Sequence, residues 1–293
     1  MEYIKVRANA KINLTLDVLN RREDGYHNIK TVMQTLKLHD KIFIKKIVST
    51  KIKIVTNMPW LPVDSRNLVY KATSLIQKNY NVNSGVFIDI NKNIPVSAGL
   101  AGGSSNCAAT LLALRRLFAL TISNTELYEL GKELGADVPY CLMGGTVLAQ
   151  GIGERLTKLP PHPSVHVLLI KPSVSISTAS VYGGLDLNVM PIRTVEDTNK
   201  VLDAIREKNL ANICDSFYNA LEYNVEKKYP IIKNIKATMM QNKALGAMMS
   251  GSGPTVFAYF KAKNDALNAI RALKQYERNI KDVHLTGIYN KDF

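Results

Sequence analysis

A glycine-rich segment in front of a predicted helix is the part of this chain best suited to chemistry. Residues 95–106 read Pro-Val-Ser-Ala-Gly-Leu-Ala-Gly-Gly-Ser-Ser-Asn. Glycine has no Cβ, so the backbone N–H groups of such a segment can surround a phosphate. The helix that follows adds unpaired N–H groups and the positive end of its dipole. The segment therefore predicts a phosphate-binding loop, although it fits neither the Walker A nor the dinucleotide-binding glycine pattern.

Two further motifs carry charged groups of the kind that phosphoryl transfer uses. Lys11 and Asn13 are two residues apart on a predicted strand, so both side chains point to the same face. The ordinary alternative is a solvated strand face. Asp137 lies in Gly-Ala-Asp-Val-Pro, where a helix N-cap is the ordinary role. Its small apolar neighbours also suit a partly buried carboxylate.

Two predicted turns complete the set of motifs. Residues 250–255 read Ser-Gly-Ser-Gly-Pro-Thr and join two predicted strands. They form either a simple hairpin or a lateral support for the glycine-rich loop. Residues 24–27 read Asp-Gly-Tyr-His, and Asp-Gly favours a tight turn. The tyrosine and histidine beside it could recognise a planar base, or the histidine could be an ordinary hairpin residue.

Taken in chain order, these motifs resemble those of the GHMP small-molecule kinases, which include galactokinase, homoserine kinase and mevalonate kinase. The resemblance rests on residues 95–105, 135–139 and 250–254, and it covers nearly the whole chain. Residues 8–14 and 22–27 look like those of the members that act on a cytidine diphosphate derivative. The resemblance implies that the γ-phosphate of ATP passes to the 2-hydroxyl of 4-diphosphocytidyl-2-C-methyl-D-erythritol, in non-mevalonate isoprenoid synthesis.

The resemblance also implies roles for single residues. It makes Lys11 and Asp137 catalytic, with the carboxylate taking the proton of the attacking hydroxyl and the ammonium keeping that carboxylate ionised. The implied ATP-binding residues are Asn67, Lys92, Pro95, Val96, Ser97, Ala98, Gly99, Leu100, Ala101, Gly102, Gly103, Ser104 and Ser105. The implied residues for the cytidine substrate are Asn13, Tyr26, His27, Thr178 and Tyr182.

The resemblance implies Mg²⁺ as the companion of ATP but leaves its ligands open. Asn106 stands where other family members have aspartate, and it cannot be a charged metal ligand. We find no counterpart of the loop glutamate that mevalonate-kinase-like members place on Mg²⁺. Ala101 replaces a glycine of some members, but it keeps its N–H donor, so we expect the phosphate cradle to survive.

The implied fold is α+β with two lobes. A β-rich N-terminal half similar to ribosomal protein S5 spans residues 1–160, and a ferredoxin-like α/β half spans 161–293. Local patterns predict a capping box at Ser123–Glu126 and another helix start at Thr194–Asp197. Hydrophobic periodicity predicts strands at 12–18, 29–36, 41–47, 86–90, 144–150, 165–170, 246–250, 255–260 and 283–289, and helices at 67–79, 107–118, 264–276 and twice within 212–242.

Composition limits the partners and the location of the protein. The 293 residues carry a net charge of +14, which could attract nucleic acid, a membrane surface or anionic small substrates. The lysines are scattered and form no basic tail, so we expect small-molecule substrates, no nucleic acid and no membrane, in a monomer or homodimer. Three cysteines at unrelated spacings, with no secretory signal, indicate a reducing cytoplasm rather than a disulfide framework.

Three other functions stay open at this point. The same fold could act on another small alcohol, such as homoserine or mevalonate. A nucleic-acid-binding protein would explain the charge but would give no role to Asp137. A nucleotide-binding regulator without catalysis would not need both Lys11 and Asp137.

Overall fold

The computed structural model describes residues 2–187 and 194–290, and within them the strands form two sheets. The first sheet has seven strands. Five of them lie in the order β3–β4–β2–β1–β8. Strand β5 pairs with another part of the long strand β2, and β6 pairs with β5. These strands are β1 (Tyr3–Arg21), β2 (His27–Ile47), β3 (Ile52–Thr56), β4 (Gly85–Asn91), β5 (Thr146–Gly151), β6 (Arg155–Lys158) and β8 (Tyr218–Asn219).

Strands β1 and β2 form a long antiparallel hairpin that is the centre of this sheet. The two predicted strands at 29–36 and 41–47 are one strand, β2. Its register against β1 shifts between the pairs Asn9↔His39 and Lys11↔Thr35. Such bulges bend a strand and re-aim its side chains. The bulge interrupts β2 between residues 35 and 39, which explains why the hydrophobic pattern indicated two strands. It lies beside Lys11 of β1.

Four helices cover one face of the first sheet, because apolar side chains on that face need burial. They are α1 (Leu68–Asn79), α2 (Gly102–Leu117), α3 (Asn124–Leu134) and α4 (Val138–Met143). The predicted stripe on α2 is buried at Cys107, Leu111 and Leu114 and packs with Ile42 and Ile88 of the sheet. The predicted capping box before α3 is confirmed. Strands β3 and β6 and helix α4 were not predicted.

The second sheet is four antiparallel strands in the order β11–β7–β10–β9. The strands are β7 (His166–Pro172), β9 (Gly246–Met249), β10 (Val256–Phe260) and β11 (Ile280–Gly287). With its first strand inside the sheet and its last strand at the edge, this is the ferredoxin-like arrangement that was predicted. The helices in this part are α5 (Thr178–Gly183), α6 (Val195–Arg206), α7 (Leu210–Asp215), α8 (Glu222–Lys228), α9 (Ile231–Gln241) and α10 (Lys263–Ala272), with a 3-10 helix at Leu273–Asn279.

The two sheets share a core. Phe257 and Tyr259 on one face of β10 pack with Ile12 and Leu36 of the first sheet. The other face of β10 packs with helices α9 and α10, where Phe260 contacts the cluster of Ile235. The second sheet is therefore buried on both faces, which explains why every residue of β10 is buried.

The segment from 212 to 242 differs from the prediction of two helices. It holds most of α7, the short strand β8, and then α8 and α9. β8 pairs in parallel with β1 at Thr15 and Leu16, a long-range contact that local periodicity cannot reveal. Pro230 separates α8 from α9, since it occupies the N-cap of the second helix. The capping box of Thr194 and Asp197 before α6 is confirmed.

In the described part of the chain, none of the helices combines the length and apolar character that crossing a bilayer requires.

We expect His162, in the connection between the two sheets, to make folding pH-dependent. Its side chain is buried, with Nδ1 2.7 Å from the Pro163 carbonyl oxygen and Nε2 3.3 Å from the Tyr259 hydroxyl. Burial lowers its pKa from 6.5 to about 4. The unfolded chain therefore takes up this proton first, and the free energy of unfolding should fall by up to about 3 kcal/mol as the pH drops from 6.5 to 4.

Urea unfolding of the wild type and of His162→Gln between pH 7.5 and 4 measures this contribution. The variant should lose this part of the pH dependence, because glutamine does not titrate. Parallel curves for the two proteins over that range would contradict the prediction.

Candidate active site

A cavity of about 1250 Å³ lies between the glycine-rich loop, the β1–β2 turn and helix α5. It gathers residues that are far apart in the sequence. The predicted site residues that line it are Lys11, Asn13, Tyr26, His27, Asn67, Lys92, Pro95, Val96, Ser97, Ala98, Gly99, Leu100, Ala101, Gly102, Gly103, Ser104, Asp137, Thr178 and Tyr182.

Ser105 is the predicted site residue that does not line this cavity. Its hydroxyl donates a hydrogen bond to the Asn9 backbone oxygen at 2.7 Å, and its N–H donates to Ala101. The side chain is buried because the first turn of α2 packs on β1. Its neighbour Ser104 does line the cavity.

Lys11 and Asp137 meet at the centre of the cavity. Lys11 Nζ lies 3.5 Å from Asp137 Oδ2 and donates a hydrogen bond to Asn13 Oδ1 at 2.8 Å. The Lys11 side chain is 6% exposed, so it is not the solvated strand residue of the ordinary alternative. Asn13 is itself held, since its amide donates to Thr31 Oγ1 at 2.8 Å. The ammonium therefore has a fixed direction towards the aspartate.

Asp137 occupies the N-cap position of α4 without capping it. Its side chain accepts no capping hydrogen bond from the helix, and 38% of that side chain is exposed. The carboxylate thus faces both the ammonium and the cavity. A carboxylate in this position can accept a proton from a hydroxyl in the cavity.

The glycine-rich loop has an unusual backbone that its surroundings hold in place. Ser97, Gly99 and Ala101 have φ values of 51°, 73° and 54°, in the left-handed region that favours glycine. The predicted lateral support is confirmed, because Ser250 Oγ donates to the Gly99 carbonyl oxygen at 3.0 Å. On the other side, the backbone N–H of Lys11 donates to the backbone carbonyl oxygen of Leu100 at 3.2 Å.

At the opposite end of the cavity, a ring from strand β2 lies against a ring from helix α5. The His27 and Tyr182 ring centroids are 5.3 Å apart, with an interplanar angle of 34°. Burial lowers the pKa of His27 and raises the pKa of Tyr182, so the imidazole and the phenol are both held neutral at pH 7.

Thr178 Oγ1 lies 2.8 Å from Ser252 Oγ, which joins α5 to the 250–255 hairpin. The predicted tight turn at Asp24–Gly25 is confirmed by the Gly25 N–H donating to Arg22.

Sequence reasoning missed several residues at the loop end of the cavity. Leu61, Pro62, Leu68 and Ile90 form an apolar wall beside the glycine-rich loop. They come from a connection, a helix and a strand, so no single pattern could have revealed the wall. Asn67 is the N-cap of α1, and its Oδ1 accepts from the Val69 N–H at 2.9 Å.

The donor set fits a cation that arrives with a phosphate ligand better than a resident metal. Across residues 2–187 and 194–290, no three histidine, cysteine or carboxylate side chains are grouped to hold a metal ion. Mg²⁺ usually takes one or two carboxylates together with substrate phosphates and waters. Ser97, Ser104 and Asp137 are among the residues with side-chain oxygens that line the cavity.

Comparisons with known proteins match both parts of the chain. The model of the GHMP kinases N terminal domain matches residues 67–145, and that of the GHMP kinases C terminal domain matches residues 201–279. A 4-diphosphocytidyl-2-C-methyl-D-erythritol kinase of Caldicellulosiruptor saccharolyticus is 47% identical over 288 residues, 98% of each chain. The enzyme of that name from Clostridioides difficile is 43% identical, over 99% of this chain and 100% of the relative.

Solved structures agree with these matches. A crystal structure of 4-(cytidine 5'-diphospho)-2C-methyl-D-erythritol kinase superposes with a TM-score of 0.83 at 30% identity, covering 98% of this chain and 100% of the other. A mevalonate kinase of L. major reaches a TM-score of 0.77 at 14% identity, covering 99% and 97% of the two chains. The latter likeness concerns the fold alone.

We expect Gly99→Ala to destabilise the protein by at least about 2 kcal/mol. The φ of +73° is unfavourable for alanine, and the added Cβ would collide with the Ser250 carbonyl oxygen. Gly103→Ala is the matched control in the same loop. There the Cβ would meet only Leu68 Cδ1, at 3.8 Å, and alanine favours the helix.

Urea unfolding of the two variants measures the difference. Gly103→Ala should unfold at the wild-type urea concentration or above it. Equal stability of the two variants would mean that the Gly99 backbone is not constrained as described.

Proposed function

Because this chain belongs to the GHMP kinases, and within them to the 4-diphosphocytidyl-2-C-methyl-D-erythritol kinases, we propose that it transfers the γ-phosphate of ATP to the 2-hydroxyl of that cytidine compound. The products are ADP and the 2-phosphate, within the non-mevalonate isoprenoid route. The observation that supports this proposal most directly is the Lys11–Asp137 ion pair, whose Nζ and Oδ2 atoms are 3.5 Å apart. The pair lines the same cavity as the glycine-rich loop and the rings of His27 and Tyr182.

Asp137 acts as the general base. It takes the proton of the 2-hydroxyl as the new bond forms between that oxygen and the γ-phosphorus. The bond from the γ-phosphorus to the bridging oxygen of ADP breaks in the same transfer. Lys11, whose Nζ lies 3.5 Å from Asp137 Oδ2, balances the negative charge on the transferred group. Phosphoryl transfer needs mainly such positioning and charge neutralisation.

The two ends of the cavity suit the two substrates. The loop of residues 95–104 offers backbone N–H groups to the ATP phosphates, and the apolar wall at Leu61 and Pro62 suits a purine ring. The rings of His27 and Tyr182 suit the cytosine, by stacking and hydrogen bonding. Asn13, Tyr26 and Thr178 complete this end. We retain Ser105 only as a support for the loop.

Mg²⁺ is proposed as the ion bound to ATP. It neutralises phosphate charge and polarises the transferred group when it is bound. The hydroxyl groups of Ser97 and Ser104 in the glycine-rich loop could contribute oxygen ligands, which leaves Asp137 free to act as the base. The positive net charge raises the local concentration of both polyanionic substrates.

We also propose a cytoplasmic location, a monomer or homodimer, and a division of the chain at residue 160. The cytoplasmic location is supported by Cys107, Cys141 and Cys214, which are buried as free thiols and fit a reducing compartment.

The division of the chain at residue 160 is supported by the connection between β6 and β7, which leads from the first sheet to the second.

We expect Asp137→Asn to lower turnover by about two to four orders of magnitude, because asparagine cannot accept the hydroxyl proton. Affinity for both substrates should stay close to that of the wild type. Asp89→Asn, an exposed carboxylate on β4, is the control and should keep full activity. Steady-state kinetics with titration calorimetry measure the two quantities, and normal turnover by Asp137→Asn would remove the general base from the mechanism.

We expect His27→Ala to raise the KM for the cytidine compound about tenfold, since roughly 1.4 kcal/mol of ring contact is lost. The KM for ATP should not change, because His27 lies at the other end of the cavity. The same assay of ADP release with homoserine, mevalonate and galactose tests the acceptor. Turnover of one of these alcohols in place of the cytidine compound would overturn the proposed substrate.

A further inference from the structure

Asp40 is a buried carboxylate that the mechanism above does not use. It lies on β2, with no exposed surface, beneath the start of helix α2. We propose that Asp40 is a positioning residue for ATP: it holds both ends of the glycine-rich loop and aims the Lys92 ammonium at the nucleotide phosphates. This inference rests on the proposed kinase function.

One oxygen of Asp40 holds the entry to the loop. Asp40 Oδ1 accepts hydrogen bonds from the backbone N–H groups of Asn93 at 2.7 Å and Ile94 at 2.8 Å. These residues connect β4 to Pro95, where the loop begins. Two backbone donors on one oxygen fix both the position and the direction of this connection.

The other oxygen holds the exit from the loop. Asp40 Oδ2 accepts a hydrogen bond from the side-chain amide of Asn106 at 2.8 Å, and Asn106 lies in the first turns of α2. The same oxygen forms an ion pair with Lys92 Nζ. Asn106 Oδ1 in turn accepts from Lys92 Nζ at 2.9 Å. A single carboxylate thus connects the residues before and after the loop.

The Lys92 ammonium lies directly under the loop. A Cβ added at Gly102 would be 3.2 Å from Lys92 Nζ, so this glycine lets the ammonium approach the backbone. An ammonium has three N–H donors, and Asp40 and Asn106 engage two of them. Lys92 also lines the cavity, so its third donor can reach a phosphate oxygen there.

The charge of Asp40 is what keeps the ammonium in this place. A buried ammonium that has lost its carboxylate partner is left uncompensated and moves towards water. That movement takes the positive charge away from beneath the loop. ATP binding should therefore weaken by more than the general loss of stability would cause.

The test compares Asp40→Asn with Glu222→Gln, a largely buried carboxylate that makes the same kinds of contact but does not line the cavity. Glu222 accepts the Met249 N–H at 2.7 Å and forms an ion pair with Lys236 at 2.8 Å. Both variants should melt at lower temperature than the wild type. Asp40→Asn should weaken the binding of Mg-ATP at least about tenfold, whereas Glu222→Gln should leave it within about twofold.

Titration calorimetry with Mg-ATP alone is the measurement, because it needs no acceptor alcohol. Its result therefore stands even if the acceptor proves to be a different alcohol. If the wild-type protein failed to bind Mg-ATP, that result would contradict the proposed kinase function itself. Normal Mg-ATP binding by a destabilised Asp40→Asn would overturn the positioning role and leave a structural one.

Asn106→Ala serves if Asp40→Asn does not fold. It removes one contact of the carboxylate but keeps the ion pair, and alanine suits the helix. Mg-ATP binding should weaken about threefold to tenfold, since two hydrogen bonds to charged groups are lost, one to Asp40 and one from Lys92. Unchanged binding by this variant would also overturn the proposal.

Discussion

The antiparallel pairing of β1 with β2 is the constraint on which the rest of the site depends. The hairpin register sets the distances between groups that belong to opposite ends of the cavity. His27 pairs with Arg21 at the turn, Thr35 pairs with Lys11 at the centre, and Asp40 pairs with Ala8 at the far end. The proposed general base, Asp137, lies 3.5 Å from Lys11 of this hairpin. A shift of register by one residue would turn these side chains to the other face of the sheet.

Local sequence signals predicted the parts of the site that local forces determine. Both capping boxes and the stripe of helix α2 depend on neighbouring residues, and each was predicted, although α2 begins at Gly102, inside the segment predicted as the loop. The direction of the Ser105 hydroxyl and the contacts of Asp40 depend on pairing across 52 to 96 positions of the chain. No periodicity records such contacts. The resemblance to a family suggested the residue roles that the patterns alone left open.

The two buried lysines of the cavity show how burial and partner choice separate two functions. Lys11 faces a carboxylate that is more than a third exposed, so a substrate can approach the pair. Lys92 faces a carboxylate with no exposed surface, so its pair is closed to a hydroxyl group. Each ammonium also contacts an asparagine oxygen, at 2.8 and 2.9 Å. The same ion-pair chemistry thus suits the reactive centre proposed at Lys11 and Asp137 and the fixed charge proposed at Lys92.

The support of the glycine-rich loop by the 250–255 hairpin has a consequence for biosynthesis. The loop leaves the ribosome about 150 residues before Ser250, whose hydroxyl holds the Gly99 carbonyl. Asn219 of β8 and Tyr289, which follows β11, also contact the first sheet and are made late in translation. An incomplete chain that lacks Ser250 therefore lacks one of the contacts that hold the glycine-rich loop.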